Sequence, residues 1–103
     1  MIENFNPKPL ISVITVCFNS EKTIANTIES VINQKYQNIE FIIIDGKSTD
    51  ETFNIIQKYK ANITKIISEK DNGIYDAFNK GLELATGDLI GFVNSDDLLT
   101  PNA

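Results

Sequence analysis

The sequence contains no histidine and no arginine, and these two absences exclude more functions than any single residue present suggests. Without histidine there are no Ser-His or Cys-His nucleophile pairs, no imidazole metal ligands and no histidine general base, so catalysis here has to run on carboxylates or a metal ion. Without arginine no planar fork clamps a phosphate. A phosphorylated ligand would need lysines, backbone amides or a divalent cation to offset its charge. Cysteine occurs once, at Cys17, which excludes an intrachain disulfide and a cysteine-cluster zinc site; it reads as a small buried hydrophobe. No apolar run approaches the roughly 18 to 20 residues that span a bilayer. Positive charge is scarce: nine lysines face fourteen acids, for a net charge of −5, and no basic stripe for nucleic acid emerges. Residues 1–9 lack the basic, then apolar, then small-residue order of a signal peptide. The expected location is the cytosol, with the inner face of the membrane within reach through a further partner or segment.

What is present fits one domain. The 103 residues, 42% apolar and 22% charged, divide into a proline-flanked leader, 1–9, and a domain, 10–103, large enough to bury about 60 to 70% of its unfolded surface. Leu10 to Phe18 is a near-continuous β-branched and apolar run, the pattern of a strand covered on both faces. Ser20 is placed to cap a helix whose apolar positions Ile24, Ile28, Val31 and Ile32 recur at helical spacing. A second buried strand runs from Ile39 to Ile44 and stops at Asp45-Gly46. Ser48 and Glu51 have capping-box spacing ahead of a helix faced by Phe53, Ile56 and Tyr59. A shorter, mixed strand is expected over Ile63 to Ser68. Asp71-Asn72-Gly73 then precedes a helix with Ile74, Phe78, Leu82 and Ala85 as its apolar face, stopped by Gly87. A buried fourth strand runs from Leu89 to Asn94 and ends on Asp96-Asp97.

The alternation of strand and helix with short links implies parallel strands and right-handed crossovers. Asn19-Ser20, Asp45-Gly46, Glu69 to Gly73 and Ser95-Asp96-Asp97 then share one carboxyl edge, where open α/β sheets bind ligands. Each candidate has two readings. Asp96-Asp97 either holds a cation or caps a following turn. Asp45 either accepts hydrogen bonds from a nucleoside or bonds the amides near Ser48. Asn72, Asp76 and Asn79 either face the cleft or form the solvated side of their helix; Lys22 and Lys47 either offset phosphates or solvate the surface; Tyr75 either packs or stacks a ring. No G-x-G-x-x-G follows the first strand and no Walker A sequence occurs, which removes the main support for a dinucleotide oxidoreductase or a P-loop NTPase.

Five motifs, in order, carry a resemblance. Ser12 to Asn19 (SVITVCFN), Ile43 to Asp50 (IIDGKSTD), Asp71 to Ala77 (DNGIYDA), Ala85 to Asp88 (ATGD) and Asn94 to Asp97 (NSDD) together resemble the N-terminal half of a family 2 glycosyltransferase with the GT-A fold. The resemblance covers residues 10 to 100. It implies a Rossmann-like, mostly parallel sheet in a three-layer αβα arrangement, with the fourth strand beside the first. It makes Asp97 a ligand of Mn²⁺ or Mg²⁺ on the diphosphate of a nucleotide-sugar, with Asp96 near the ribose. The end of the first strand, Thr15, Val16 and Asn19, with Asp45, would hold the nucleoside, commonly uridine. Asp76 and Asn79 would lie near the sugar-diphosphate. It further implies an inverting enzyme of bacterial surface polysaccharide synthesis, acting on a glycan or lipid-linked acceptor. Gly46, Asn94 and Phe78 depart from residues frequent in that family: an aspartate at the base, an aspartate before the metal pair, and an arginine. The catalytic base belongs to an acceptor-binding half not contained in these residues, so no catalytic residue is assigned, transfer activity is not expected of this chain alone, and an uncovered fourth strand would favour self-association. The alternative is a non-catalytic α/β module that binds a nucleotide or partner at the same edge. A receiver domain would need acids after the first strand, where Asn19-Ser20 stands.

Overall fold

The longest apolar run forms the central strand β1, Ile11–Cys17, with six of its seven residues buried. In the computed structural model, which describes residues 9–94, α1 (Ile24–Ile32), β2 (Ile39–Asp45), α2 (Thr52–Lys58), a 3-10 turn (Lys60–Asn62), β3 (Lys65–Ser68), α3 (Ile74–Leu84) and β4 (Leu89–Phe92) follow. The four strands form one sheet in the order β3-β2-β1-β4, and every pairing is parallel. Ile11 pairs with Ile39 on one side and Leu89 on the other, so β1 is flanked at both edges over its first half.

Alternate strand residues point to opposite faces. Val13, Cys17, Phe41 and Ile43 pack with Ile24, Ile28 and Val31 of α1 and Ile56 of α2. Ile14, Val16, Ile42 and Ile44 pack on the other side against Ala77 of α3, with Phe78 and Leu84 at the margin. The result is the expected three-layer α/β/α sandwich. Ile42, Ile43 and Ile44 are fully buried, each worth about 1.5 to 3 kcal/mol relative to exposure, which explains why β2 is apolar from Phe41 to Ile44.

The structure corrects five local expectations. Ser20 does not cap α1; the helix begins at Ile24, and the Ser20 hydroxyl turns back to donate to the Phe18 carbonyl at 3.2 Å. The capping box does not form, because Ser48 Oγ is committed to Asp45, and Asp50 Oδ1 instead accepts from Thr52 N at 2.9 Å. In α3 the buried positions are Ala77 and Gly81, while Ile74 and Leu82 are about half exposed. Gly81 permits this rotation: a Cβ there would lie 2.5 Å from Ile14 Cγ2, so only glycine lets the helix settle onto β1. The fourth strand is not a buried one. Among the described residues β4 is an edge that exposes Leu89, Ile90 and Phe92, with Phe92 packed edge-on against Phe78 at 4.7 Å, and of those beyond it Val93 returns to the core. The third strand is two residues shorter than expected, since Ile63 is drawn into the α1/α2 core before β3 begins.

Candidate functional site

Because all strands are parallel, the ends of β1, β2, β3 and β4 lie along one edge. The chain runs outward from β1 through β2 to β3, then crosses by α3 to β4 on the other flank of β1. The connections diverge between β1 and β4, and this divergence leaves a crevice at the carboxyl ends, the place where α/β sheets bind ligands. A cleft of about 840 Å³ opens there, within the size range of small-molecule sites. One wall is the chain from Val16 to Thr23 with Asp50; the other is Asp71, Gly73, Ile74 and Ala77; Asn94 enters from β4.

The first wall is two loops stitched into one. Asn19 adopts a left-handed conformation, φ 49°, which asparagine tolerates better than most residues. Its amide donates to Ser48 Oγ and its Oδ1 accepts from Thr49 N, both at 2.8 Å. Ser20 N donates to Thr52 Oγ1 at 2.7 Å, Glu21 N to Asp50 Oδ2 at 3.3 Å, and Glu51 N to Glu21 Oε1 at 3.0 Å. Burial works to raise the Asp50 carboxyl, but bonds from the Thr52 hydroxyl and amide and the Glu21 amide outweigh it and hold it below the usual range. Asp50 therefore faces the cleft as a carboxylate.

Behind this wall Asp45 is fully buried. Its Oδ2 accepts from Ser48 N at 3.1 Å and Ser68 Oγ at 2.8 Å; its Oδ1 accepts from Ser48 Oγ and lies 3.6 Å from Cys17 Sγ. A carboxylate offers about four acceptor sites, and all are engaged, so in this structure Asp45 performs the turn role. Burial first, and the Asp45 carboxylate second, push the Cys17 thiol well above its ordinary range, which makes it an inert core group.

The second wall is the start of α3. Gly73, φ 111°, makes the left-handed entry, Asp71 Oδ1 accepts from Gly73 N at 3.2 Å, and Asp76 Oδ2 accepts from Asn72 N at 2.9 Å. Asp71 Oδ2 lies 2.8 Å from where a Cβ on Gly46 would sit. A side chain at position 46 would therefore require the Asp71 carboxylate to swing aside.

Of the expected site residues, Val16 and Asn19 line the cleft. Thr15 is buried one layer below, on the α1/α2 face, with its hydroxyl lacking a hydrogen-bond partner. Asp76 is half-buried at the cleft end of α3, 3.6 Å from Lys80, and Asn79 is exposed one turn on. Asp96 and Asp97 lie outside the described residues. Sequence reasoning missed Asp50 and Asp71 as cleft residues. Capping-box spacing hides Asp50, although its two-residue spacing to Thr52 is an Asx-turn signal; Asp71 falls within the Glu69 to Gly73 stretch expected at the ligand edge but is not singled out there as a site residue. Among the described residues no three acidic or cysteine side chains converge as a metal site. The groups at the cleft, Glu21, Asp50, Asp71 and Asn94, are nonetheless oxygen donors, the set that suits a hard divalent cation and not a thiophilic one.

The glycosyl transferase family 2 model matches residues 12–103. The chain is 44% identical over 91 residues to the Escherichia coli UDP-Glc:alpha-D-GlcNAc-diphosphoundecaprenol beta-1,3-glucosyltransferase WfaP, a match covering 85% of this chain and 36% of that one. The structure superposes on S. aureus TarS (residues 1–349) in complex with UDP-GlcNAc with a TM-score of 0.82 at 30% identity, over 88% of this chain and 28% of TarS. It also matches Mycobacterium tuberculosis glucosyl-3-phosphoglycerate synthase in complex with Mn²⁺, UDP and glucosyl-3-phosphoglycerate, with a TM-score of 0.70 at 26% identity, over 84% and 33% of the two chains. This chain spans 14 to 38% of the length of the curated relatives it matches. No helix among the described residues is long and apolar enough to cross a membrane.

Proposed function

The chain belongs to glycosyl transferase family 2 and has its GT-A fold, and from that membership we propose that the cleft between β1 and β4 is a donor site for a nucleoside-diphosphate sugar, with UDP as the nucleotide and Mn²⁺ or Mg²⁺ as a bound cation. The observation that carries this is the cleft's place and chemistry together: it opens where the sheet's connections diverge, and carboxylates line it with Lys22 as the single lysine among them. A diphosphate entering that field is repelled unless a cation bridges the two. TarS with UDP-GlcNAc and the synthase with Mn²⁺ and UDP support the same reading by likeness.

In this reading Val16 and Asn19 form the nucleoside end, over a floor containing Thr15. Asp45 reaches the base only if the Ser48 or Ser68 hydroxyl gives way; otherwise it acts by holding the wall that carries Asn19. Asp76 and Asn79 lie toward the sugar-diphosphate, Asp96 toward the ribose, and Asp97 holds the cation. When bound, the cation supplies Lewis-acid stabilisation of the departing diphosphate. The reaction is an inverting displacement at the anomeric carbon, with the acceptor's activating base assigned to the part of a full-length protein that this chain does not span. A lipid-linked or glycan acceptor of a bacterial surface polysaccharide, met at the inner face of the membrane, fits the likeness to WfaP.

Calorimetry of UDP with Mn²⁺ and with excess chelator tests this. Binding is expected in both conditions and tighter with Mn²⁺, and Asp97→Asn is expected to abolish most of the difference. Equal affinity in chelator would remove the metal, and no binding in either condition would remove the nucleotide.

A further inference from the structure

At the sheet edge opposite the cleft lies a buried carboxylate that the proposed chemistry does not use. Glu40, the second residue of β2, is 7% exposed. Its Oε1 accepts from Ser12 Oγ at 2.7 Å and Thr86 N at 2.8 Å, and its Oε2 accepts from Thr86 Oγ1 at 2.8 Å. Lys65 Nζ stands 3.5 Å from Oε2 and donates to the Leu84 carbonyl, the last of α3, at 2.6 Å. One side chain thus joins β1, β2, β3, the end of α3 and the turn that leads into β4.

β4 needs such a device. It is four residues long and, among the described residues, paired on one side only, and its Leu89, Ile90 and Phe92 side chains are about half exposed, so apart from Val93 just beyond it little apolar burial chooses its register. A slip by one residue would displace the end of β4 by about 3.3 Å and exchange its faces. The turn before β4 is pressed onto β1: Gly87 N donates to Ser12 Oγ at 2.8 Å, and a Cβ on Gly87 would lie 2.5 Å from that oxygen and 2.8 Å from the Leu10 carbonyl. Leu10 N and Asp88 Oδ2 close the same corner at 3.0 Å. Leaving a buried carboxylate unpaired is costly, so a slipped register that strands Glu40 is strongly disfavoured. Buried ionic groups have their best-attested use in fixing register.

We infer that Glu40, with Ser12 and Thr86, is a positioning device that sets the register of β4 on β1 and so fixes where the chain enters the cleft at Asn94, two residues before Asp96. The link to donor binding rests on the function proposed above; the register claim does not.

The test is Thr86→Val, which keeps the shape and removes one hydrogen bond to Glu40, with Thr86→Ser as the conservative rescue. Both are compared with the wild-type chain by amide hydrogen exchange and by UDP calorimetry, at a temperature where each is fully folded. In Thr86→Val the amides that tie β4 to β1, Val93 N among them, are expected to exchange about tenfold faster, the scale of one hydrogen bond to a charged group, while those of β2 keep their rates. The factor by which Mn²⁺ tightens UDP is expected to fall by about tenfold, with affinity in chelator unchanged, and Thr86→Ser is expected to restore both. If Thr86→Val does not fold, Ser12→Ala carries the same expectations. Wild-type exchange at β4, or acceleration spread equally over all strands, would overturn the register role. Selective exchange at β4 with an unchanged Mn²⁺ factor would overturn the link to the donor site. A wild-type chain whose UDP affinity ignores Mn²⁺ would instead overturn the proposed function and that link, with exchange still deciding the register.

Discussion

Gly81→Ala is expected to destabilise this protein, although glycine to alanine inside a helix ordinarily stabilises by about 1 kcal/mol. The new methyl would stand 2.5 Å from Ile14 Cγ2, 3.2 Å from Cδ1 and 3.3 Å from Cγ1. Ile14 cannot step aside cheaply: it is fully buried in β1, and Cγ2 is a branch on Cβ with a stiff χ1. Either α3 lifts from the sheet or Ile14 leaves its rotamer, an overpacking cost of about 1 to 3 kcal/mol. The net expectation is a loss of about 1 kcal/mol, or about 4 to 8 °C in Tm for a domain of this size. Gly91→Ala is the internal control, since a Cβ there meets nothing within 4 Å. Denaturant unfolding with an unchanged m-value measures both. Combining Gly81→Ala with Ile14→Ala is expected to cost less than the two singles together, because the added methyl fills part of the truncated space. A Gly81→Ala protein more stable than wild type would refute the close approach of α3.

Acid titration of stability reads Glu40. Burial raises its carboxyl, but bonds from Thr86 N, Ser12 and the Thr86 hydroxyl and the Lys65 charge outweigh this and lower it from 4.5 to about 2. A carboxyl lower in the folded state contributes fully above pH 4.5 and loses its contribution as pH falls toward 2, about 3 kcal/mol in all; Glu40→Gln is expected to flatten that window, and an unchanged slope would contradict the network. Cys17 is expected to resist alkylation by iodoacetamide at pH 8 in the native protein and to react once denatured; rapid native labelling would contradict its burial. The open edge of β4, with Leu89, Ile90 and Phe92 exposed, is expected to give concentration-dependent association in sedimentation, suppressed by Ile90→Lys. A strict monomer at high concentration would count against that.

β1 and β2 were legible because a parallel strand buried on both faces is mostly apolar, with no regular alternation, and Ile39 to Ile44 fits that pattern despite Glu40. The parallel strands and the place of the carboxyl edge followed from the alternation of elements, whereas the layer arrangement and the position of β4 beside β1 came from the family resemblance. The face of α3 was not legible: Ile74, Phe78 and Leu82 have the right spacing, yet Ala77 and Gly81 go inward, because close packing rewards small residues and hydropathy does not register them. The apolar run from Leu89 concealed an edge strand for the related reason that a run of four cannot say how many neighbours it has. The caps misread at Ser20 and Ser48 share another cause. Local spacing offered each a helix end, whereas tertiary contacts between the 19–23 and 46–52 loops took their polar groups first. Those same contacts bring Asp50 to the cleft, and the approach of the β3–α3 loop to Gly46 brings Asp71 there. Asn19 was placed at the cleft edge by its position at the end of β1, and Val16 by the family resemblance.

The most direct test of the donor site is an amide chemical-shift map of this 103-residue chain titrated with UDP in the presence of Mg²⁺. Shifts are expected to concentrate on Val16 to Thr23, Asp50, Asp71 to Ala77 and Asn94, with the Glu40 and Thr86 corner and the α1/α2 face unmoved. Perturbations centred instead on the amino edge, or on the small cavity beside Val31, Tyr36 and Phe41, would contradict the assignment of the β1/β4 cleft as the nucleotide site.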